Sequence, residues 1–167
     1  CDWSSDVCSS DLPTGSESAE SIGDALSHER LFEQYPEAKS VDFSIAPGRG
    51  SYFEGQIKVS DPSKTKSMLH ELQHHIQGLE GFASGGSETT AFQNPEAFQI
   101  YKRLKKDLPG WNDNLVQKAA ADEYYRRLAG EAEARLVVAR RGMTPEQRMK
   151  TPPWEMYDVP ESEQIVK

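Results

Sequence analysis

The chain has 167 residues, of which 36% are hydrophobic and 28% charged, and its formal net charge is −8. This length suits one domain, and the composition is that of a soluble protein. No apolar run approaches the roughly 20 residues that a membrane-spanning helix needs, and the negative charge argues against binding to a nucleic-acid backbone.

The two ends of the chain are predicted to lie outside the folded domain. Residues 1–12 resemble the conceptual translation of a sequencing-library adapter, and we exclude them from the fold. Both cysteines lie in this stretch, so the rest of the chain predicts neither a disulfide framework nor a thiolate site. Residues 13–20 are rich in Ser, Gly and Glu, which is typical of a disordered linker. We expect the domain to span residues 21–151, with residues 152–167 forming an extended, proline-containing tail.

A weak helix is predicted at the start of the domain, from about Ile22 to Phe32. It ends before Tyr35-Pro36, because proline disfavours the helical conformation in the residue that precedes it. His28 falls on the polar side of this helix, and we expect it on the surface.

Two strands follow, each with alternating apolar and polar residues, over 41–45 and 53–59. The turn at 47–50 predicts that they form an antiparallel hairpin. We expect the strand just before the next helix to be a sheet edge to which an extended peptide can add. The alternative is that the hairpin only covers the core.

The segment up to residue 81 predicts an amphipathic helix. Asp61-Pro62 is typical of a helix start, an N-cap followed by proline at the first helical position. Gly78 and Gly81 are candidate stop signals. Apolar side chains recur every three or four residues and would form the buried face: Thr65, Met68, Leu69, Leu72, Ile76 and Leu79.

The same helix carries a metal-binding pattern, His70-Glu71-x-x-His74. Residues four apart share a helix face, so both imidazoles can supply corners of a tetrahedral zinc site. Glu71 follows the first histidine directly, and its carboxylate can take a proton from a water molecule on the metal. The alternative is a solvated helix that carries these residues by chance, and the amphipathic context makes it the weaker one. His75 lies about 100° around the helix from His74, which favours a place beside the site or on the surface.

Further helices are predicted after a glycine-rich loop over residues 80–87, which is either a mobile lid or, as we favour, a plain connector. One helix begins at Asn94-Pro95 with Phe98, Tyr101 and Leu104 inward. The others are a long helix from about Asp113 to Arg141 and a short one that Thr144-Pro145-Glu146-Gln147 begins.

A catalytic zinc needs a third protein ligand, and no third histidine follows closely. The middle of the long helix offers Glu131 and Glu133, which lie about 200° apart and cannot both face one ion. We favour Glu131, which falls on the helix face shared by Tyr124, Leu128, Arg135 and Val138. Gly130 beside it would allow the two helices to approach closely. The alternatives are that Glu133 is the ligand, or that both are solvated charges paired with neighbouring cations.

Several segments together resemble a metallopeptidase-like domain associated with large polyvalent proteins of phages and mobile elements. They are the motif run 68–77, the glycine loop 80–86, Leu128–Arg135 and the tail 152–160. The resemblance implies a zincin-like domain cut from a longer polypeptide that travels with phage or conjugative DNA. His-Glu-x-x-His is common to zincins, whereas the glycine loop and the Gly-Glu-x-Glu-Ala-Arg segment are the discriminating parts. Glu131 and Ala134 have the Glu-x-x-Ala spacing that resembles the third-ligand helix of glutamate-type zincins. At the position of Arg135, many of those proteins have Asp or Asn.

The sequence therefore predicts an α+β, zincin-like domain in which a small antiparallel sheet packs on the active-site helix and on a long C-terminal helix. Zn2+ would be held by His70, His74 and Glu131, with Glu71 as the general base of a peptidase. The group that polarises the substrate carbonyl stays open among four candidates: Arg135, Tyr124, Tyr125 and His75.

We expect a peptide or protein substrate, the remainder of a larger polypeptide as partner, and a cytoplasmic location, since no signal peptide is visible. Two other classes of protein fit the same pattern. One is a non-catalytic interaction module that keeps the zinc as a structural element, and the other is a binding module without metal.

Overall fold

The computed structural model describes residues 19–61, 63 and 65–167. The chain divides into two compact units, the first formed by residues up to Phe82 with Glu133–Tyr157, the second by Ala83–Ala132 with Asp158–Lys167. The predicted adapter stretch and most of the predicted linker lie outside the described residues. Within the described ranges, no helix combines the length and the apolar character that crossing a membrane requires.

The described elements give an α+β protein. In chain order they are α1 (Ile22–Ala25), α2 (Glu29–Gln34), β1 (Asp42–Ile45), β2 (Ser51–Phe53), β3 (Gln56–Val59), α3 (Thr65–Glu80), α4 (Pro95–Asp107), α5 (Asp113–Arg127), α6 (Ala129–Arg140) and α7 (Pro145–Lys150). Short 3-10 helices lie at Pro36–Ser40, Glu88–Gln93, Pro153–Glu155 and Glu161–Glu163. Helices α4 and α5 belong to the second unit, and α6 begins there and continues into the first.

The sheet of the first unit is mixed, with strand order β1-β3-β2. Strands β2 and β3 form an antiparallel hairpin across Glu54-Gly55, whose φ angles of 45° and 83° match the tight turn that a two-residue hairpin favours. Strand β1 pairs with β3 in parallel, with Phe43 opposite Ile57. The predicted antiparallel hairpin of 41–45 with 53–59 is therefore wrong, because the turn divides the second predicted strand. The strand before α3 is central rather than an edge, so the predicted edge is wrong as well.

The amphipathic helix is confirmed as α3, whose residues Met68, Leu69, Leu72 and Ile76 are buried in the core of the first unit. Leu79, predicted inward, is exposed. The helix begins at Thr65, and the predicted first helical residue, Pro62, lies outside the described residues. It ends at Gly81, where φ is +66° and the N–H of Phe82 donates to the carbonyl oxygen of Gln77 at 2.9 Å. Of the two predicted stop signals, Gly81 is the one that acts.

The predicted N-terminal helix is two short helices, α1 and α2, which end as expected before Tyr35. His28 lies at the start of α2, where its Nδ1 accepts a hydrogen bond from the backbone N–H of Leu31 at 3.2 Å. Its side chain is only 2% exposed, so the surface prediction is wrong. The reason is that a capping residue faces the first helical turn rather than solvent.

The second unit is built around α4 and α5, whose small side chains allow close packing. Asn94 precedes α4 as predicted, but Phe98 is exposed, and Ala97 and Ile100 face the core instead. The buried cluster consists of Ala91, Ala97, Ile100, Ala120, Ala121, Tyr124 and Leu128.

The long helix predicted over 113–141 is divided at Leu128, whose backbone is extended with φ −60° and ψ 129°. Ile165 occupies the break: its N–H donates to the carbonyl oxygen of Arg127 at 2.7 Å, and its carbonyl accepts from the N–H of Ala129 at 2.9 Å. The break places Glu131 in the first turn of α6. The predicted tail is thus coil with 3-10 turns, one residue of which forms a parallel bridge.

Candidate metal centre

The two histidines of the motif are positioned by the burial of α3. Because Met68, Leu69, Leu72 and Ile76 are fully buried on one side, the adjacent side carries His70 and His74 into a partly exposed position. The two imidazole rings lie 5.0 Å apart between centroids and are nearly perpendicular, at 88°. Both rings therefore stand on the same side of the helix, as the four-residue spacing predicts.

Glu131 is positioned by the start of α6 and by the glycine-rich loop. Its side chain is 2% exposed, and its Oε1 accepts a hydrogen bond from the backbone N–H of Gly86 at 3.0 Å. The loop packs directly on the helix, since a Cβ atom at Gly130 would lie 2.4 Å from the carbonyl oxygen of Ala83. The loop thus lies directly against Glu131. The alternative in which Glu131 is a solvated surface charge is wrong.

His70, His74 and Glu131 form a group that could hold a metal ion. One ligand-capable atom of each lies within 4.8 Å of the others. Tetrahedral zinc, with ligand distances of about 2.0–2.2 Å, places its ligand atoms about 3.3–3.6 Å apart, a separation of the same order as the 4.8 Å limit within which these atoms lie. Two imidazole nitrogens and one carboxylate oxygen are a donor set that zinc binds in catalytic sites, with the fourth corner left for water. The residues therefore fit the ion.

Glu71 lies against the turn that leads into β2. It is 7% exposed, and a Cβ atom at Gly50 would lie 2.7 Å from its Oε1, so the missing side chain at Gly50 leaves room for the carboxylate in this position. Glu71 also lines a cleft of about 470 Å3. The other residues that line this cleft are Lys66, Ser67, His70, Arg135, Val138 and Ala139.

Glu133 lies on the other side of α6 from Glu131 and accepts hydrogen bonds from side chains of α3. Its Oε2 accepts hydrogen bonds from Nε2 of Gln73 at 3.0 Å and from Nε2 of Gln77 at 2.7 Å. Gln77 in turn contacts His74, with 2.9 Å between its Oε1 and the imidazole Nδ1. This network was not predicted from the sequence, although the three-residue spacing of His74 and Gln77 places the two side chains on one helix face and could have indicated it.

The four candidates for the carbonyl-polarising group have different surroundings. Arg135 lines the cleft with Glu71, whereas Tyr124 belongs to the buried cluster of the second unit and Tyr125 packs against that cluster. The Nδ1 of His75 lies 3.1 Å from the hydroxyl of Tyr52, a residue the sequence analysis did not single out. Burial lowers the pKa of His75, partly opposed by the carboxylate of Glu37, so the neutral imidazole is favoured.

Comparisons of the chain with protein-family models, with curated proteins and with solved structures gave no match.

Proposed function

We propose that this chain is a zinc-dependent peptidase that hydrolyses peptide bonds in a protein or peptide substrate. The observation that carries the proposal is the convergence of His70, His74 and Glu131, whose ligand-capable atoms lie within 4.8 Å of one another. The order of the residues supports it further, since the buried carboxylate of Glu71 follows the first histidine and faces the same cleft as His70.

A zinc ion held by these residues supplies a Lewis acid that acidifies water and polarises a carbonyl group. Glu71 accepts the proton that the attacking water loses and passes it to the departing amine. The turn at Gly50 lies close to this carboxylate, since a Cβ atom there would be 2.7 Å from Oε1. Arg135, on the wall of the same cleft, is our choice for the donor that stabilises the negative oxygen of the attacked carbonyl.

The class of substrate follows from the cleft and from the family resemblance. A volume of about 470 Å3 accommodates a few residues of an extended peptide. The resemblance to the zincin-like domains of large polyvalent proteins favours two tasks inside a cell, processing of the parent polypeptide or cleavage of a host protein after delivery. The net charge of −8 disfavours binding of a nucleic-acid backbone, so nucleic acid is not proposed as the substrate.

The test combines metal analysis with cleavage of a peptide library. We expect the purified protein to retain about one zinc per chain and to cleave peptides, and Glu71→Gln to keep the zinc but lose cleavage by about 100-fold or more. Glu80→Gln is the control, because this carboxylate lies at the C-terminal end of α3, where it accepts a hydrogen bond from Tyr35. Equal cleavage by wild type and Glu71→Gln refutes the mechanism. Bound zinc without cleavage by wild type identifies a structural metal in an interaction module, and absence of bound metal identifies a metal-free binding module.

A further inference from the structure

A carboxylate, an amide and an imidazole form a continuous hydrogen-bonded chain in the first unit. Glu133 on α6 accepts from Nε2 of Gln77 at 2.7 Å, and Oε1 of Gln77 lies 2.9 Å from Nδ1 of His74. Gln77 is 1% exposed, so water does not compete for its amide. Gln73 donates to the same carboxylate oxygen at 3.0 Å.

This series of hydrogen bonds determines which way each polar group points. An ionised carboxylate is only an acceptor, so the amide nitrogen of Gln77 must face Glu133. The amide oxygen then faces His74, and because an oxygen of this kind only accepts, Nδ1 of His74 must carry the proton. A neutral imidazole has one N–H, which leaves the lone pair on Nε2.

We propose that Glu133 and Gln77 are positioning residues that fix His74 in its Nδ1–H tautomer and so reserve Nε2 for the metal. The tautomer is a property of the protein without metal, whereas its use in binding zinc rests on the proposed function. Partners of this kind fix the tautomer and the ring orientation of ligating histidines, and removing them commonly weakens metal binding by about 10- to 100-fold. The two glutamates of α6 thereby have different tasks, Glu131 as a ligand and Glu133 as the anchor for a ligand.

The experiment measures the tautomer of His74 directly in the metal-stripped protein. Histidine is labelled with 15N, and long-range 1H–15N correlation spectra are recorded about two pH units above the ordinary imidazole pKa of ~6.5. The His74 signals are assigned by their loss in His74→Gln. We expect Nδ1–H in wild type, and a mixture that includes Nε2–H in both Gln77→Met and Glu133→Met.

Two further variants separate positioning from simple packing. Gln73→Met removes a hydrogen bond to the same carboxylate but leaves the contact between Gln77 and His74, and we expect its His74 to stay Nδ1–H. Glu133→Gln keeps the shape of the side chain, and its amide oxygen can accept in place of Oε2, so it should restore the Nδ1–H form. If Glu133→Met does not fold, Gln77→Met alone decides the test, and an unchanged Nδ1–H form in that variant overturns the proposal.

Zinc affinity, measured by competition with a chromophoric chelator, gives the second readout. We expect Gln77→Met and Glu133→Met to bind zinc about 10- to 100-fold more weakly, and Gln73→Met to stay within about threefold of wild type. An unchanged Nδ1–H tautomer in both Gln77→Met and Glu133→Met overturns the proposal. If the tautomer shifts as expected but wild type binds no zinc, the proposed peptidase fails while the orientation of His74 by Gln77 stands.

Discussion

The close packing of the glycine-rich loop on α6 leads to a prediction about Gly130→Ala. The added methyl carbon would lie 2.4 Å from the carbonyl oxygen of Ala83 and 2.8 Å from the backbone nitrogen of Gly85. Ordinary contact between heavy atoms requires about 3.5 Å, so backbone must retreat by about 1 Å. Overpacking of this kind costs about 1–3 kcal/mol, against a gain of up to about 1 kcal/mol for alanine over glycine in a helix.

The matched control is Gly78→Ala, because Gly78 is also helical and a Cβ atom there meets nothing within 4 Å. We expect Gly78→Ala to raise the free energy of unfolding by up to about 1 kcal/mol and Gly130→Ala to lower it by about 1–2 kcal/mol. Urea unfolding in the presence of a chelator measures both values without a contribution from bound metal.

A second consequence concerns zinc. Retreat of the loop by about 1 Å would take the N–H of Gly86 out of hydrogen-bonding distance of Glu131 Oε1, which is now 3.0 Å. Zinc affinity should therefore fall by about 10-fold or more in Gly130→Ala and stay unchanged in Gly78→Ala. A Gly130→Ala protein that is as stable as Gly78→Ala and binds zinc like wild type refutes the reasoning.

Two other predictions follow from the first unit. Gly50→Ala places a methyl group 2.7 Å from Glu71 Oε1, so peptide cleavage should fall by about 10- to 100-fold with zinc binding retained. A Cβ atom at Gly110 would have no heavy atom within 4 Å, so Gly110→Ala should cleave like wild type. Equal cleavage rates in Gly50→Ala and Gly110→Ala would contradict the prediction. Tyr35 is buried and donates to Glu80 at 2.6 Å; burial and this hydrogen bond raise its pKa. Its contribution to stability is full below the ordinary tyrosine pKa of ~10 and is lost as pH rises, because the unfolded chain releases the proton first. Tyr35→Phe should flatten the alkaline loss of stability in urea unfolding, and an identical pH slope in both proteins would exclude this assignment.

Local sequence signals predicted local structure well. The apolar period of α3, the proline after Asn94 and the capping box at Thr144 each correspond to a helix in the structure. The pairing of strands was predicted less well. Glu54 continues the alternation of apolar and polar residues, so the pattern gave no sign of the two-residue turn at Glu54-Gly55. A parallel partner for β3 depends on contacts between distant segments, which no local pattern records.

The division of the long helix shows why the site could be predicted only in part. Leucine favours helix, and nothing at Leu128 signals an end; the extended backbone there is stabilised by hydrogen bonds to Ile165, 37 residues later. An unbroken helix would place Glu131 at its middle, whereas the break places it in the first turn of α6.

The arrangement of α6 explains how two glutamates so close in sequence can serve one site. Residues two apart on a helix point about 200° apart, which predicts that only one of them can reach a given ion. The backbone N–H of Gly86 holds Glu131, while the amide groups of Gln73 and Gln77 hold Glu133. One oxygen of each carboxylate thus accepts hydrogen bonds from donors of its own, which lowers the cost of placing the charge away from water. Hydrogen bonds to Gln77 and to Gly86 would therefore orient His74 and Glu131 before the proposed metal binds.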